Sequence, residues 1–229
     1  MFPPALHRLQ GALVGVVAAR DHFLQMLVLR LDHLVGGISP ERQADVGVID
    51  SRAMRGIISA GGYVPFRRLQ RADIAKTFGS GGGQGTRSVA SYDEDTTTMG
   101  DEAGRLALRS GPGGITPAAL WFSTASPAYL DKNNASTLHA ALRLDSDVSA
   151  FDFGGALRSG VGALRAALEG NNAVLVVTSD QRGGLPTSGD EAATGDGAGA
   201  LLVGGESDGP VIAEYLGGRM VVRAQIHAG

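Results

Sequence analysis

The chain has 229 residues, 43% of them hydrophobic and 19% charged, with a formal net charge of −3 at neutral pH. Such a chain can bury a sizeable core as one globular domain, alone or with a tail, and its mild acidity argues against a general nucleic-acid binder. It contains no cysteine, which excludes disulfides, zinc–thiolate sites and thiol catalysis together.

Gly11 to Ala19 and Phe23 to Leu31 are apolar runs separated by Arg20 and Asp21. Neither approaches the ~20 residues that span a bilayer, so no membrane segment is expected. Arg8, an apolar run and Val17-Ala18-Ala19 give a faint leader-like pattern. A helical or disordered extension over residues 1–53 is the favoured reading, and a cytoplasmic location is expected. Gly56 to Tyr63, closed by Val64-Pro65, reads as a strand and a turn. Leu69 to Phe78 reads as a short helix. Gly79 to Gly85 is either a phosphate cradle or a flexible surface loop. No Gly-Lys-Ser/Thr follows it, so the loop is favoured.

Asp93, Glu94 and Asp95 precede Thr96-Thr97-Thr98. Clustered carboxylates suit a metal or acid–base chemistry. Capping is the simpler account: Asp95 or Thr98 accepts from free N–H groups at a helix start. Met99, Ala103, Leu106 and Ala107 then share one helical face. Pro117 to Thr124 reads as a buried strand with Trp121 in the core. Ala135, Leu138 and Leu142 mark another helix.

Ser149 to Phe153 is a β-prone run leading into Gly154 and Gly155. Apolar residues then recur at Leu157, Val161, Leu164 and Leu168, the stripe of a buried helix. A strand, two glycines and a helix is a layout that lifts a side chain or a helix N-terminus into a site. Ala173 to Thr178 reads as a fully buried strand. The polar loop after it holds Asp180, Arg182 and Glu191. Gly195-Asp196-Gly197 opens another apolar run ending at Gly204. Val211 to Leu216 and Met220 to Ile226 are further candidate strands. None of the five histidines (His7, His22, His33, His139, His227) lies in a recognisable catalytic setting.

Together, Gly56 to Gly204 resembles the thiolase-like condensing enzymes. The resemblance is carried by the DEDTTTM segment, the FDFGGALRSGVGAL junction, Asp180-Gln181-Arg182 and the Gly195-to-Gly204 run. The closest branch is that of 3-hydroxy-3-methylglutaryl-CoA synthase and β-ketoacyl-carrier-protein synthase III. It implies an α/β fold: one αβ half of the thiolase-like fold, a mixed sheet packed by helices, with a divergent N-terminal extension. Residues 54–204 would form that half and 205–229 a divergent tail. The second half, which supplies a histidine, is not matched in the chain.

The resemblance also implies an acyltransferase of lipid or acyl-CoA metabolism, forming carbon–carbon bonds. Its ligand would be a coenzyme A thioester or an acyl-carrier protein, with no other cofactor and no metal. Aligning the family patterns puts Leu157 at the nucleophilic cysteine and Ala125 at a catalytic glutamate. A leucine has no heteroatom to attack a thioester, so no catalytic residue is assigned and the chain alone is expected to be inactive.

Arg182 would pair a phosphate of coenzyme A or make an internal salt bridge. Gly195 and Gly197 would allow close backbone approach beside the pocket. Two alternatives are open: a noncatalytic acyl-CoA-binding or scaffold subunit of a heteromeric complex, and a truncated gene product; separately, Met54 looks like a natural beginning if residues 1–53 reflect translation begun upstream of the true start. A homodimer or heterodimer is expected to pair through Ala173 to Thr178, with an OB-fold, zinc-ribbon protein as a conceivable further partner.

Overall fold

Two central strands organise the chain because their sequences allow burial on both sides. β4 (Ala119–Thr124) and β6 (Val174–Asp180) are apolar along most of their length. The computed structural model describes residues 54–156 and 158–218. The expectations for 1–53, for residue 157 and for a strand at 220–226 therefore lie outside the described residues.

β4 pairs in parallel with both β6 and β5 (Ser149–Gly154). β6 pairs antiparallel with β7 (Gly197–Gly205), and β7 with β1 (Arg55–Tyr63). The two-residue β8 (Ala213–Glu214) lies against β1, so the segment after Gly204 rejoins the sheet. The order is β5-β4-β6-β7-β1-β8. This is the mixed sheet the resemblance implied. One expectation fails on it: β6 is hydrogen-bonded on both sides, so it offers no free edge through which a second chain could pair. Among the described residues, β5 is bonded on one side only.

One face of the sheet carries α2 (Thr96–Ser110) and α3 (Asn134–Ala141). Their contact buries Ala103, Ala107, Leu120, Phe122, Leu138, Leu175 and Val177. Glycine is required at Gly61, where a Cβ would stand 2.2 Å from the Ala103 carbonyl oxygen. α2 starts as the sequence predicts. Asp95 Oδ1 accepts from the N–H groups of Thr97 and Thr98 at 2.8 Å each, and Thr98 Oγ1 accepts from Asp95 N–H at 2.8 Å. Met99, Ala103 and Ala107 are buried, while Leu106 is half-buried.

The opposite face carries α4 (Ser159–Glu169), against Val174, Val176 and Val203. Here the apolar stripe misleads. Ala163 and Ala167 are the buried residues, Leu164 and Leu168 flank them half-buried, and Val161 is 57% exposed. The reason is close approach: a Cβ at Gly160 would already be 3.0 Å from Thr178 Cγ2. Only small side chains fit between helix and strand, so the leucines splay to the sides. Trp121 is likewise half-buried, not core, and tilts against Phe153 at 5.2 Å between centroids. At the C-terminal end of α4, the Arg55 guanidinium donates to the Ala167 carbonyl at 2.9 Å and also to that of Asn172.

A ribbon of β2 (Arg67–Gln70) and β3 (Thr86–Val89) stands apart from the main sheet. The predicted helix from Leu69 is thereby shortened to α1 (Arg71–Phe78). Arg71 pins the glycine-rich loop that follows, donating to the carbonyls of Thr86 at 2.7 Å and Ala192 at 2.5 Å.

Candidate functional site

β4, β5 and β6 run in the same direction, so their C-terminal ends open together on one side of the sheet. That is where ligands bind in open α/β sheets. Ala125 follows β4 and is exposed. Its N–H donates to Asp180 Oδ1, at the end of β6, at 2.7 Å. The same oxygen accepts from Thr124 Oγ1 at 3.2 Å. Ser126 Oγ accepts from Gln181 N–H at 3.1 Å, and the Ser126 carbonyl accepts from Thr96 Oγ1 at 3.0 Å. The end of β6, the loop after β4 and the first turn of α2 are thus tied into one platform, with Ala125 at its surface.

β5 delivers the glycine junction beside this platform. Gly155 has φ +94°, a left-handed conformation that glycine adopts without a steric penalty. Ser159 Oγ donates to the Gly154 carbonyl at 2.8 Å, while Arg158, at the N-cap position of α4, makes no side-chain capping bond. Residue 157, the position aligned with the family's cysteine, falls between them and outside the described residues.

Asp152 is a member of this region that sequence reasoning missed. Its carboxylate accepts from the N–H groups of Asn134 and Ala135 at 2.7 Å each, and so holds the start of α3 to β5. A carboxylate at a helix N-terminus satisfies free donors and meets the positive end of the dipole. The only signal in the sequence was an acid between Phe151 and Phe153. A cavity of about 190 Å³ lies here, lined by Thr124, Tyr129, Lys132, Asn134, Asp152 and Gly154 among others.

A larger cleft of about 380 Å³ lies elsewhere, along α2 and α3, with Asp93, Glu94, Asp101 and Glu102 in its wall. In it the Tyr63 hydroxyl donates to Glu94. That bond, with burial and the neighbouring acids, pushes the phenol up to about 12. It also holds the Glu94 carboxyl below the usual carboxylate range, helped by the Ser91 N–H. Burial pushes the Asp95 carboxyl up, but hydrogen bonds from Thr97 and Thr98 outweigh it and the net shift is downward. Asp95 therefore serves the cap. No group of three metal-ligating side chains occurs among the described residues. His139 is half-buried in α3, its Nε2 3.0 Å from the Asp145 carbonyl oxygen.

Arg182 faces Asp190, with 3.8 Å between Nη2 and Oδ1. Gly195 is confined by β3: a Cβ there would lie 2.6 Å from Ser88 Oγ. Gly197 opens β7, with the Tyr63 carbonyl oxygen 3.2 Å from where its Cβ would be.

No family model matches the chain. A hydroxymethylglutaryl-CoA synthase of Pyrococcus furiosus is 33% identical over 162 residues, covering 67% of this chain and 46% of that protein. One of Thermococcus sibiricus is 38% identical over 117 residues, covering 49% and 33%. Among solved structures, a 3-oxoacyl-(acyl-carrier-protein) synthase III superposes with a TM-score of 0.57 at 21% identity, covering 66% of this chain and 50% of the other. A hydroxymethylglutaryl-CoA synthase of Bacillus subtilis gives 0.56 at 22%, covering 67% and 41%. The fold is therefore thiolase-like, that of the condensing enzymes. Within that class the matched part of the chain is similar in sequence to hydroxymethylglutaryl-CoA synthases. The chain spans a third to about half the length of the curated relatives it matches.

Proposed function

We propose that this chain is an acyl-CoA-binding module of the condensing acyltransferase class that does not itself carry the acyl group. A thiolate is the nucleophile the family pattern calls for, and the chain has no cysteine. Leucine at position 157 can neither attack a thioester nor be activated by a base. The observation that carries the acyl-CoA reading is the preserved platform: Asp180 bonded to Thr124 and Ala125 beside a left-handed glycine junction. Catalysis, on this reading, needs residues from another chain or does not occur. The module is expected in the cytoplasm, with a coenzyme A thioester or an acyl-carrier protein as its ligand.

Restoring the sulfur is the direct test. Purified Leu157→Cys is expected to acquire a covalent acyl group from acetyl-CoA, read by intact-protein mass spectrometry, while the parent chain acquires none. A stable acyl adduct on the parent, or no binding of coenzyme A by either protein, would sink the proposal.

A scaffold role in a heteromeric complex is favoured by a separate observation. Among the described residues, β5 has one unpaired edge with Phe151 53% exposed, and α4 exposes Val161. Exposed apolar surface next to an unpaired strand recruits a partner or aggregates. A second copy, another thiolase-like chain or an OB-fold, zinc-ribbon protein would each fit this reading. Light scattering and co-purification distinguish them, and a soluble monomer without partners would remove it.

A further inference from the structure

The ribbon of β2 and β3, with α1, and the loop after β6 form a layer with almost no apolar interior. Between residues 66 and 90 only Ile74 and Arg87 are buried, and between 181 and 195 no residue is. Polar bonds hold the two segments together instead, and most of them meet at Asp196. Its carboxylate pairs with Arg87, with 3.4 Å between Nη2 and Oδ1, and accepts from the N–H groups of Ala90 at 2.8 Å and Arg182 at 2.7 Å. Its own N–H donates to the Ser88 carbonyl at 3.2 Å, and its carbonyl accepts from Ser88 Oγ at 2.6 Å. Arg87 Nη2 adds the Arg182 carbonyl at 2.6 Å, and Arg71 Nε, from α1, adds that of Ala192 at 2.5 Å. Two features weaken this layer. Taking the charges of Arg87 and Asp196 out of water is costly, and Arg87 Nε has no partner among the described residues. Thr187 holds φ +68°, a left-handed conformation that strains a β-branched residue. A region with few buried apolar contacts opens before the core does.

Both segments leave and rejoin the sheet beside the platform. The first departs at Tyr63, the end of β1, and returns at Glu94, whose carboxylate accepts from the Tyr63 hydroxyl. The second departs at Asp180, the end of β6, and returns at Gly197, the start of β7. β1 and β6 are each antiparallel to β7 and so run the same way. Both departures therefore lie on the side where β4 and β5 also end. There the Gln181 N–H donates to Ser126 Oγ at 3.1 Å, which sets the edge of the layer on the platform. We propose that residues 64–90 and 181–196 are a single lid, latched by Asp196 onto β3, that opens as one unit away from the platform and uncovers Ser126. Such a lid would serve the site whichever ligand it takes.

Hydrogen exchange on the full chain, read residue by residue by NMR, tests it. The amides of Arg71, Ala90, Arg182 and Asp196 are each hydrogen-bonded within the lid. They are expected to exchange through one common opening, about a hundredfold faster than the amides of β6. Arg71→Gln removes side-chain bonds to the carbonyls of Gln84, Thr86 and Ala192. It is expected to speed all four amides about tenfold, the loss of a charged hydrogen bond, including those of Ala90 and Arg182, which Arg71 does not touch. Because the chain has no cysteine, Ser126→Cys supplies a sole thiol. Its labelling by a maleimide is expected to quicken by the same factor when Arg71→Gln is added. Unchanged protection of β6 shows that each variant is folded, and Arg71→Lys takes the place of Arg71→Gln if that protection is lost. Amides of Ala90 and Arg182 unmoved by Arg71→Gln, lid amides as protected as those of β6, or an unmoved labelling rate would each overturn the lid. No coenzyme A enters the experiment, so its failure leaves the function proposed above standing.

Discussion

The two faces of the central sheet are built on different rules. Against α2 and α3 the sheet sets large side chains, Leu120, Phe122, Leu175 and Val177, all 0% exposed. The helix there opens on a reciprocal cap. Against α4 it sets Thr178 and valines, and the helix answers with Gly160, Ala163 and Ala167. That helix has no side-chain cap and shows Val161 to solvent. The first face is closed on itself by interdigitation. The second is seated by closeness, with its outer side left uncovered among the described residues.

The largest expected difference between the faces is in stability. Phe122→Ala should cost about 3–5 kcal/mol in chemical denaturation, the usual loss for an emptied aromatic core position. Val161→Ala should cost less than about 0.5 kcal/mol, as for an exposed site. A large loss at Val161 would mean that the α4 face is covered in solution, and would reverse the contrast. A smaller effect separates the helix starts. Asp95→Ala should lose about 1 kcal/mol with its cap, whereas Arg158→Ser should leave stability unchanged or raise it by a few tenths. Equal losses at both would show that the start of α4 is capped in a way the contrast denies.

The smallest effect is one of pH. The neutral Tyr63 phenol is favoured in the fold, where it titrates at about 12 instead of the ordinary 10.0. Its contribution is complete below pH 10, since a group with a raised folded value loses its stabilisation as pH climbs through the shifted one. Melting temperatures should therefore fall between pH 10 and about 12 by more in the parent than in Tyr63→Phe. Parallel curves would show that the bond to Glu94 is absent in solution.

What could be read from the sequence divides along the same line. The start of α2 was legible because Asp95, Thr97 and Thr98 are within three residues of one another, and the buried positions Met99, Ala103 and Ala107 repeat at helical spacing. The buried face of α4 was not. Leucine periodicity pointed to Val161 and its neighbours, while contact with Thr178 and the β6 valines selected the small residues. β2 and β3 escaped notice because each is a four-residue, arginine-bearing run with a single apolar residue, and what fixes them comes from Arg71, Arg87 and Asp196. In the candidate site, the positions of Ala125 and Leu157 came from the family pattern alone. The tie from Asp152 to the start of α3 crosses 17 and 18 residues of chain, and that from Asp180 to Ala125 crosses 55. No local rule reports such pairings.

Arg55 gives α4 a mechanical asymmetry. Its guanidinium fastens the carbonyls at the heel of the helix, where a cation also meets the negative end of the dipole. Among the described residues, the toe is held by Ser159, which bonds the carbonyls of Gly154 and Ala156, and by contact at Gly160. Motion of this helix is therefore expected to be least at the heel and greatest toward the Gly155 junction.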